Sequence, residues 1–518
     1  MASVRPKPGE ALYRSAQWNC FSFAAVHAII PRDASGAKLK NLNSIAATRA
    51  LARLATMAAA GVLVLGGAVP AQAAAHSRAG AIDTAALDRL AEQAHARGLF
   101  NGTLLVARNG RIVYQRATGV ADGARTRALT TRDRFGIGSI GKEFSAVALM
   151  MLERQGALRL DDPVSRFVPG LPAWGDQVLV RHLLDYTSGL PGLRPNAAGD
   201  SLLADLRALP ALQFAPGTGY LYSNNNIVLR RSVLEAAART SFADYAQRML
   251  LRPCGMRDAV IDPPPGAADV AAAFDNDFVG DAAGEAMPGF WIRVTANDLY
   301  RWSECLKSGR LLPVETLARH ANADPKKDGA LGRISLANGA IQRHRHQGSS
   351  YNFEAWLEAD WADGTTVVVL TNNKNFRVGE LAQAAFDIAG GKPYVVPKRS
   401  IFLALRDRIA KQGFDAGMAW LRTLPQAEAE TYDLAAQEGD LNRTAYYLLQ
   451  NGKRDDAVRL FRHIADAYPA SANAWDSLGE ALEAAGEGEE ALTSYRKALA
   501  LDPALTSSRD AVARLSGR

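Results

Sequence analysis

The segment that decides the fold spans residues 135–142 and reads Phe-Gly-Ile-Gly-Ser-Ile-Gly-Lys. The apolar run Phe144–Leu152 follows it and is typical of a buried helix, which would end at Gly156. If Ser139 lies in the first turn of this helix, Lys142 lies one turn further along and faces the same side. The pattern therefore predicts a hydroxyl beside an ammonium group at a helix N-terminus.

A serine and a lysine in this arrangement suit acyl transfer. Burial lowers the pKa of an ammonium group, so Lys142 could accept or relay the Ser139 proton. The helix N-terminus adds positive potential and a free N–H for an oxyanion. Ser-x-x-Lys is weak evidence by itself, because it also occurs at residues 35–38 and 494–497. Companion motifs must decide between a catalytic and a coincidental match.

Two further motifs could complete such a site. Tyr222-Ser-Asn224 is the one Tyr-x-Asn in the sequence and follows a Pro-Gly turn. A tyrosine can shuttle a proton beside a lysine, and an asparagine can bind a substrate amide; a polar surface turn is the alternative. In His346-Gln-Gly348, a donor on an edge strand and a glycine that permits close backbone approach could form the opposite wall of a cleft.

The strand signals lie at the two ends of the region that contains these motifs. Apolar runs on both sides of Asn109-Gly110 predict a hairpin, and a second strand-rich region spans Gly339–Asn372. The chain between them is mostly helical or looped. One α+β domain is therefore expected, with a sheet that joins the two ends of the domain.

A repeat with a period of 34 residues follows this domain. Four positions recur 34 residues later with a similar residue: Gly452 and Gly486, Ala457 and Ala491, Phe461 and Tyr495, Pro469 and Pro503. This pattern is typical of tetratricopeptide repeats, in which small residues let paired helices approach and a proline ends the second helix. Two copies are fewer than the usual three, so residues 392–430 are expected to form an irregular helical linker or cap.

The three motifs together resemble those of the serine β-lactamase and DD-peptidase superfamily, in the same chain order, particularly its class C, carboxypeptidase and esterase branches. Further stretches look like family landmarks: Phe135–Lys142, Leu183–Pro191, Pro253–Met256 and Val369–Asn372. The resemblance runs from about Leu87 to Ile388. It implies an antiparallel sheet flanked by helices plus a helical subdomain, followed here by an all-α tetratricopeptide domain.

The resemblance also implies the catalytic roles. Ser139 would be acylated, Lys142 and Tyr222 would manage its proton, and water would then release the acyl group. An esterase or D-amino-acid peptidase-like hydrolase acting on ester or amide substrates is the favoured function. The alternatives are a β-lactamase proper, or a non-catalytic scaffold that binds partners through its repeats.

The implied substrate-binding residues are Asn224, His346, Gly348 and Ser349. Asn224 would contact the substrate amide, and His346 would occupy the position of a lysine or histidine in relatives. The N–H of Ser349 would form an oxyanion hole together with that of Ser139. Many relatives carry a hydroxyl residue where this chain has Gln347, which argues against tight penicillin recognition.

No cofactor, and no metal, is expected. His344 and His346 would face the same side of a strand, but no Asp, Glu, Cys or His cluster completes a plausible zinc ligand set. No Walker or Rossmann glycine loop occurs. Cys254 and Cys305 could form one disulfide in an oxidising compartment, or remain two separate buried thiols.

Charge argues against nucleic acid as a partner. The formal charge is +7, but residues 1–73 hold eight Lys or Arg against two acids, leaving 52 basic and 51 acidic side chains elsewhere. Because nucleic-acid binding needs clustered positive charge, which is not evident here, we expect a small-molecule or peptide substrate instead. A protein partner could bind through residues 431–518, although the repeats could equally serve as a cap or dimer contact.

Residues 1–73 are interpreted as an N-terminal extension with a signal peptide. Two arginines precede the apolar stretch Met57–Val69, and Ala71-Gln-Ala73 offers a small-residue cleavage site. The stretch is too short to span a bilayer comfortably, so no stable span is expected after cleavage, an uncleaved anchor being the alternative. Signals usually have roughly 15–30 residues, which suggests a true start near Leu42. The hydrolase domain (84–391) and repeat domain (431–518) would then be periplasmic or secreted.

Overall fold

The computed structural model describes residues 82–193, 201–263, 269–281, 292–322, 324 and 327–517. The predicted signal peptide, its cleavage site and the suggested start near Leu42 all lie outside these residues. Within the described ranges, no helix has the length and apolar character that a membrane crossing requires.

A six-stranded antiparallel sheet in the order β2-β1-β9-β8-β7-β6 is the centre of the hydrolase domain. Its strands are β1 (Gly102–Arg108), β2 (Arg111–Thr118), β6 (Arg333–Ala337), β7 (Ala340–Ser350), β8 (Phe353–Asp360) and β9 (Thr365–Thr371). Three short strands form a second sheet in the order β3-β5-β4: β3 (Phe135–Gly136), β4 (Val260–Ile261) and β5 (Ile292–Val294). The predicted hairpin at Asn109-Gly110 is present, and β1 pairs with β9, so the sheet does join the two ends of the domain.

Helices cover both faces of the large sheet. Those of the hydrolase domain are α1 (Thr84–Ala96), α2 (Lys142–Arg154), α3 (Val180–Leu184), α4 (Ser201–Arg207), α5 (Asn225–Ala238), α6 (Phe242–Ala246), α7 (Arg252–Cys254), α8 (Ala296–Lys307), α9 (Val314–Arg319) and α10 (Val378–Ala389). Helices α1 and α10 pack on one face, and α2 and α8 contribute to the main core on the other. The α+β class predicted from the sequence is confirmed.

Helix α2 forms the middle of the main core. Every residue from Lys142 to Leu152 is buried, as the apolar run predicts. Phe144 stacks on Trp302 of α8 with ring centroids 4.1 Å apart. Burying a large aromatic side chain contributes about 1.5–3 kcal/mol, so the first part of α2, just after Ser139, is held firmly.

The C-terminal part of the described chain is entirely helical. Its helices are α11 (Ile401–Gln412), α12 (Phe414–Ala427), α13 (Gln437–Gln450), α14 (Arg454–Ala467), α15 (Ala472–Ala485), α16 (Gly488–Leu501) and α17 (Thr506–Ser516). The repeat gives the antiparallel pairs α13–α14 and α15–α16, in which Gly479 packs against the ring of Tyr495. An irregular helical linker or cap is expected for residues 392–430, and helices α11 and α12 make up most of this range. Their buried faces, for example Ile401, Leu405 and Ile409, join the core of the repeats.

Cys254 and Cys305 form a disulfide between α7 and α8, with Cα atoms 5.3 Å apart. This decides between the two alternatives that the sequence leaves open. The bond closes a loop across 51 residues and fixes α8 against α7.

Candidate active site

Ser139 lies in a 3-10 turn, Gly138–Gly141, that leads directly into α2. This turn packs against the end of β7. A Cβ at Gly138, whose φ is +49°, would overlap the backbone nitrogen of Ser349, and a Cβ at Gly348 would overlap the carbonyl oxygen of Ile137. Glycine is therefore required on both sides of this contact, since any side chain would separate β7 from the turn that contains Ser139.

The edge of β7 is open to the turn because β6 is short. Strand β6 pairs with β7 only as far as Arg345, which leaves residues 346–350 unpaired on that side. An alanine Cβ at Gly348 would lie 3.1 Å from the Ser139 nitrogen. The two N–H groups that the sequence predicts for an oxyanion hole, those of Ser139 and Ser349, are thus on adjoining segments.

Lys142 connects the other two predicted catalytic groups. Its Nζ donates to Ser139 Oγ at 2.8 Å and lies 2.5 Å from Tyr222 OH. The lysine side chain is almost fully buried, and its Nζ also lies 4.3 Å from the centre of the Tyr222 ring. A hydroxyl, an amine and a phenol therefore meet in one place, although Ser139 and Tyr222 are 83 positions apart in the sequence.

The position of Tyr222 is fixed by the start of α5 and by the segment 183–191. Its ring packs on Tyr186 with centroids 4.6 Å apart. Asn226 accepts a hydrogen bond from Ser188 Oγ at 2.6 Å, and Ser223 donates to the carbonyl of Pro191. These bonds hold the Tyr-x-Asn turn against the segment 183–191.

Comparison with known proteins agrees with this geometry. The family profile described as beta-lactamase matches residues 84–390, more than half of the chain. The chain belongs to the beta-lactamase family. It is therefore an enzyme of the serine hydrolase class. A second family profile, described as tetratricopeptide repeat, matches residues 472–505.

Relatives of this beta-lactamase-family enzyme differ in their activities. Penicillin-binding protein 4* of Bacillus subtilis (strain 168) is 34% identical over 33% of this chain and 40% of its own length. Esterase EstB of Burkholderia gladioli is 29% identical over 48% of this chain and 76% of its own. D-aminopeptidase of Brucella canis is 31% identical over 34% of this chain and 36% of its own length. The chain thus matches about two fifths of the length of the first relative.

Solved structures share the fold at lower identity. A class C beta-lactamase superposes with a TM-score of 0.51 at 20% identity, covering 59% of this chain and 95% of that one. EstCE1, a hydrolase with promiscuous acyltransferase activity, gives 0.50 at 22% identity, covering 60% and 98%. These likenesses establish the architecture alone.

The structure places His346 differently from a simple substrate ligand. The ring is buried, and its Nδ1 lies 2.6 Å from Oε1 of Glu143, the residue after Lys142. Asn224 sits where α5 begins, and its side-chain oxygen has no hydrogen-bond partner within the described residues. Contact of either residue with substrate stays a prediction.

Glu143 is the centre of a buried polar cluster at the first turn of α2. Besides contacting His346, its Oε1 lies 2.9 Å from Nε2 of His344. Its Oε2 accepts a hydrogen bond from Trp302 Nε1 at 2.7 Å. The carboxylate therefore ties β7 and α8 to the first turn of α2. The described residues contain no group of three acids, histidines or cysteines arranged to hold a metal.

The charges of this cluster stabilise each other. Burial by itself would raise the pKa of Glu143, but His344 and His346 outweigh it and hold that pKa far below its usual value. Burial would lower the pKa of His344, but Glu143 raises it overall. The ionised carboxylate and a protonated His344 are therefore the stable pair at mildly acidic pH.

Sequence reasoning found the strand histidines but not their partner. The spacing of His344 and His346 shows that they share a face, yet nothing marks Glu143 as the residue opposite. Lys374 was also missed: its Nζ donates to Ser349 Oγ at 2.5 Å. Glu143 meets the histidines because α2 packs against β7, and Lys374 follows β9, which lies two strands from β7 in the sheet. Such contacts between distant segments are not encoded in local pattern.

Proposed function

We propose that this protein is an exported serine hydrolase that works through an acyl-enzyme on Ser139. Ser139 Oγ attacks the carbonyl carbon of an ester or amide, while its proton passes to a neutral Lys142. Collapse of the tetrahedral intermediate breaks the bond to the alcohol or amine, which takes the proton through Tyr222. Water then attacks the acyl-enzyme and frees the acid and Ser139.

One observation carries this proposal: Lys142 Nζ lies within hydrogen-bonding distance of both Ser139 Oγ and Tyr222 OH. A base must be this close to the proton that it abstracts. The N–H groups of Ser139 and Ser349 are proposed to stabilise the oxyanion, in the way that backbone donors do in acyl transfer.

For the substrate we favour an ester or a D-amino-acid amide over a β-lactam. The side chain of Gln347 is exposed, and it occupies the position where many relatives have a hydroxyl residue. The relatives include an enzyme named an esterase and one named a D-aminopeptidase, which supports this class. A β-lactamase proper remains the alternative that the assay must exclude.

The test is hydrolysis by the Ser139→Ala variant, with Ser494→Ala as the matched control. Ser494 begins the other Ser-x-x-Lys of the described chain and is also buried, but it lies in α16. Ser139→Ala should abolish turnover of a short-chain ester and labelling by an active-site serine probe, whereas Ser494→Ala should retain both. Retained turnover in Ser139→Ala would end the proposal. Faster turnover of nitrocefin than of esters or a D-Ala-D-Ala peptide would favour the β-lactamase alternative.

Export to the periplasm or medium is proposed on two grounds. The sequence contains a candidate signal, and Cys254 is bonded to Cys305, as is common in oxidising compartments. Mass spectrometry of the protein recovered from outside the cytoplasm should give an N-terminus near Ala74. An intact N-terminus in the cytoplasmic fraction would contradict it.

Partner binding through residues 431–518 is a second proposed role. The groove of the repeats presents Trp475, with Lys497 Nζ 4.0 Å above its ring, and the carboxylate of Glu490. A mixed aromatic and charged groove suits a peptide segment. Sedimentation of the whole protein and of Trp475→Ala would separate this role from a dimer contact, because only the latter predicts a dimer that the substitution weakens.

A further inference from the structure

The segment 372–377, between β9 and α10, touches both the active site and the C-terminal helices. At one end Lys374 donates to Ser349 Oγ at 2.5 Å. At the other end Arg377 is almost fully buried and reaches Asp440 of α13, with Nη2 and Oδ2 3.4 Å apart. A few residues thus separate the repeat domain from β7, the strand whose Ser349 N–H is predicted to bind the oxyanion.

Asp440 is built into this junction. It is 1% exposed, and its Oδ2 accepts from Ser400 Oγ and from the backbone nitrogen of Ile401, both at 2.8 Å. Arg377 also pairs with Glu380 at 2.9 Å. A buried carboxylate with several donors has a fixed orientation, so it can fix the guanidinium that it faces.

The same segment is held from below by β8. Glu354, fully buried, accepts from the backbone nitrogens of Asn375 and Phe376 at 3.0 and 2.8 Å. Glu354 lies directly opposite Ser349 in the β7–β8 ladder. The Phe376 ring lies 4.6 Å from the guanidinium of Arg443, on the same helix as Asp440. Packing and hydrogen bonds therefore form a continuous path from α13 to the residue after Gly348.

We propose that Asp440, in the tetratricopeptide-type domain, is a positioning residue for the hydrolase: through Arg377 it holds segment 372–377 so that Lys374 fixes Ser349 beside the nucleophile. The C-terminal helices are then part of the catalytic scaffold, and a partner bound to them acts on turnover through this segment. This inference rests on the proposed function, because Ser349 matters only if its N–H binds the oxyanion.

The experiment is a double-mutant cycle on the full chain, with Lys374→Met, Asp440→Asn and the double variant. Ester kcat and KM and the thermal midpoint are measured for each. Asp476→Asn is the control, since Asp476 is an aspartate of α15 that binds Ser507 and Ser508 of α17 and does not face the hydrolase. Each single substitution should lower kcat about fivefold with KM within twofold, which lies in the range of coupling through packed networks.

The decisive result is the double variant. If Asp440 acts through Lys374, the double variant is no slower than Lys374→Met alone. Wild-type kcat in Asp440→Asn, or losses that multiply in the double variant, would overturn the inference. Ser400→Ala, which removes one donor to the same carboxylate, is run in the same cycle and decides the question if Asp440→Asn does not fold. A wild-type protein without turnover would instead count against the proposed function.

Discussion

The buried carboxylate of Glu143 gives the sharpest prediction, through the substitution Glu143→Gln. A glutamine whose oxygen keeps the two imidazole contacts must turn its NH2 toward Trp302 Nε1, so two donors then face each other. The hydrogen bond at 2.7 Å is lost, and the protonated His344 loses its counter-charge. Breaking a buried charged pair from one side costs about 3–5 kcal/mol, so we expect the free energy of unfolding to fall by that amount.

The matched control is Glu358→Gln. Glu358 is also buried in the large sheet and also accepts from a tryptophan, Trp356 Nε1 at 3.0 Å, but its cation, Arg343, is 44% exposed. Water screens and replaces such a partner, so the expected loss is about 1 kcal/mol. Urea unfolding, followed by ester hydrolysis and by near-ultraviolet circular dichroism, measures both variants. Equal losses would refute the argument that burial of both partners sets the cost.

The pH dependence provides an independent check. The pKa of His344 is raised above 6.5, so its contribution is complete below that value and is lost as pH rises through the higher pKa of the folded state. The pKa of Glu143 is lowered from 4.5, so its contribution is complete above that value and is lost only in strong acid. Wild-type stability should therefore fall as the pH rises above about 6.5, and Glu143→Gln should lack this fall. The same slope in both proteins would show that another group titrates.

Two other changes test the packing of β7 against the Ser139 turn and the disulfide between α7 and α8. Gly348→Ala should lower kcat by at least about 100-fold, as loss of one oxyanion donor does, because the new Cβ would push β7 away from the Ser139 turn. Gly488→Ala is the control, since Gly488 has open space around it. Normal kinetics in both variants would contradict the close packing. Replacing Cys254 and Cys305 by serine should lower the free energy of unfolding by about 2–4 kcal/mol; a reductant should lower the wild-type thermal midpoint but not that of the variant, and equal sensitivity would contradict the role of the disulfide.

Local pattern was sufficient for the elements that carry a strong periodic or turn signal. The Asn109-Gly110 hairpin, the buried helix after Ser139 and the 34-residue repeat each follow from residues close in sequence. The motif spacing, read with the family resemblance, also brought Tyr222 to Lys142. Each of these signals depends on side-chain type and separation, which the sequence states directly.

Contacts between distant segments could not be predicted in this way. Glu143 differs in no local respect from an exposed acid in a first helical turn, which is where acids are usual. Its burial follows from β7 and α8 meeting behind α2. Likewise, Arg377 looks like an ordinary surface arginine before a helix until α13 supplies Asp440. The sequence did not indicate how regular helices α11 and α12 are, because the helices that bury their apolar faces come later in the chain.

The pairing of Gly102 with Thr371 has a consequence for how the molecule is made. The first hairpin can form early, but β1 keeps an unpaired edge until almost the whole hydrolase domain has been synthesised, and such long-range closure is slow. If the chain is exported as we propose, this delay keeps it unfolded while it is threaded through a secretion channel. Its exposed edge also makes it vulnerable to aggregation in that interval, so overproduction without export should yield insoluble protein.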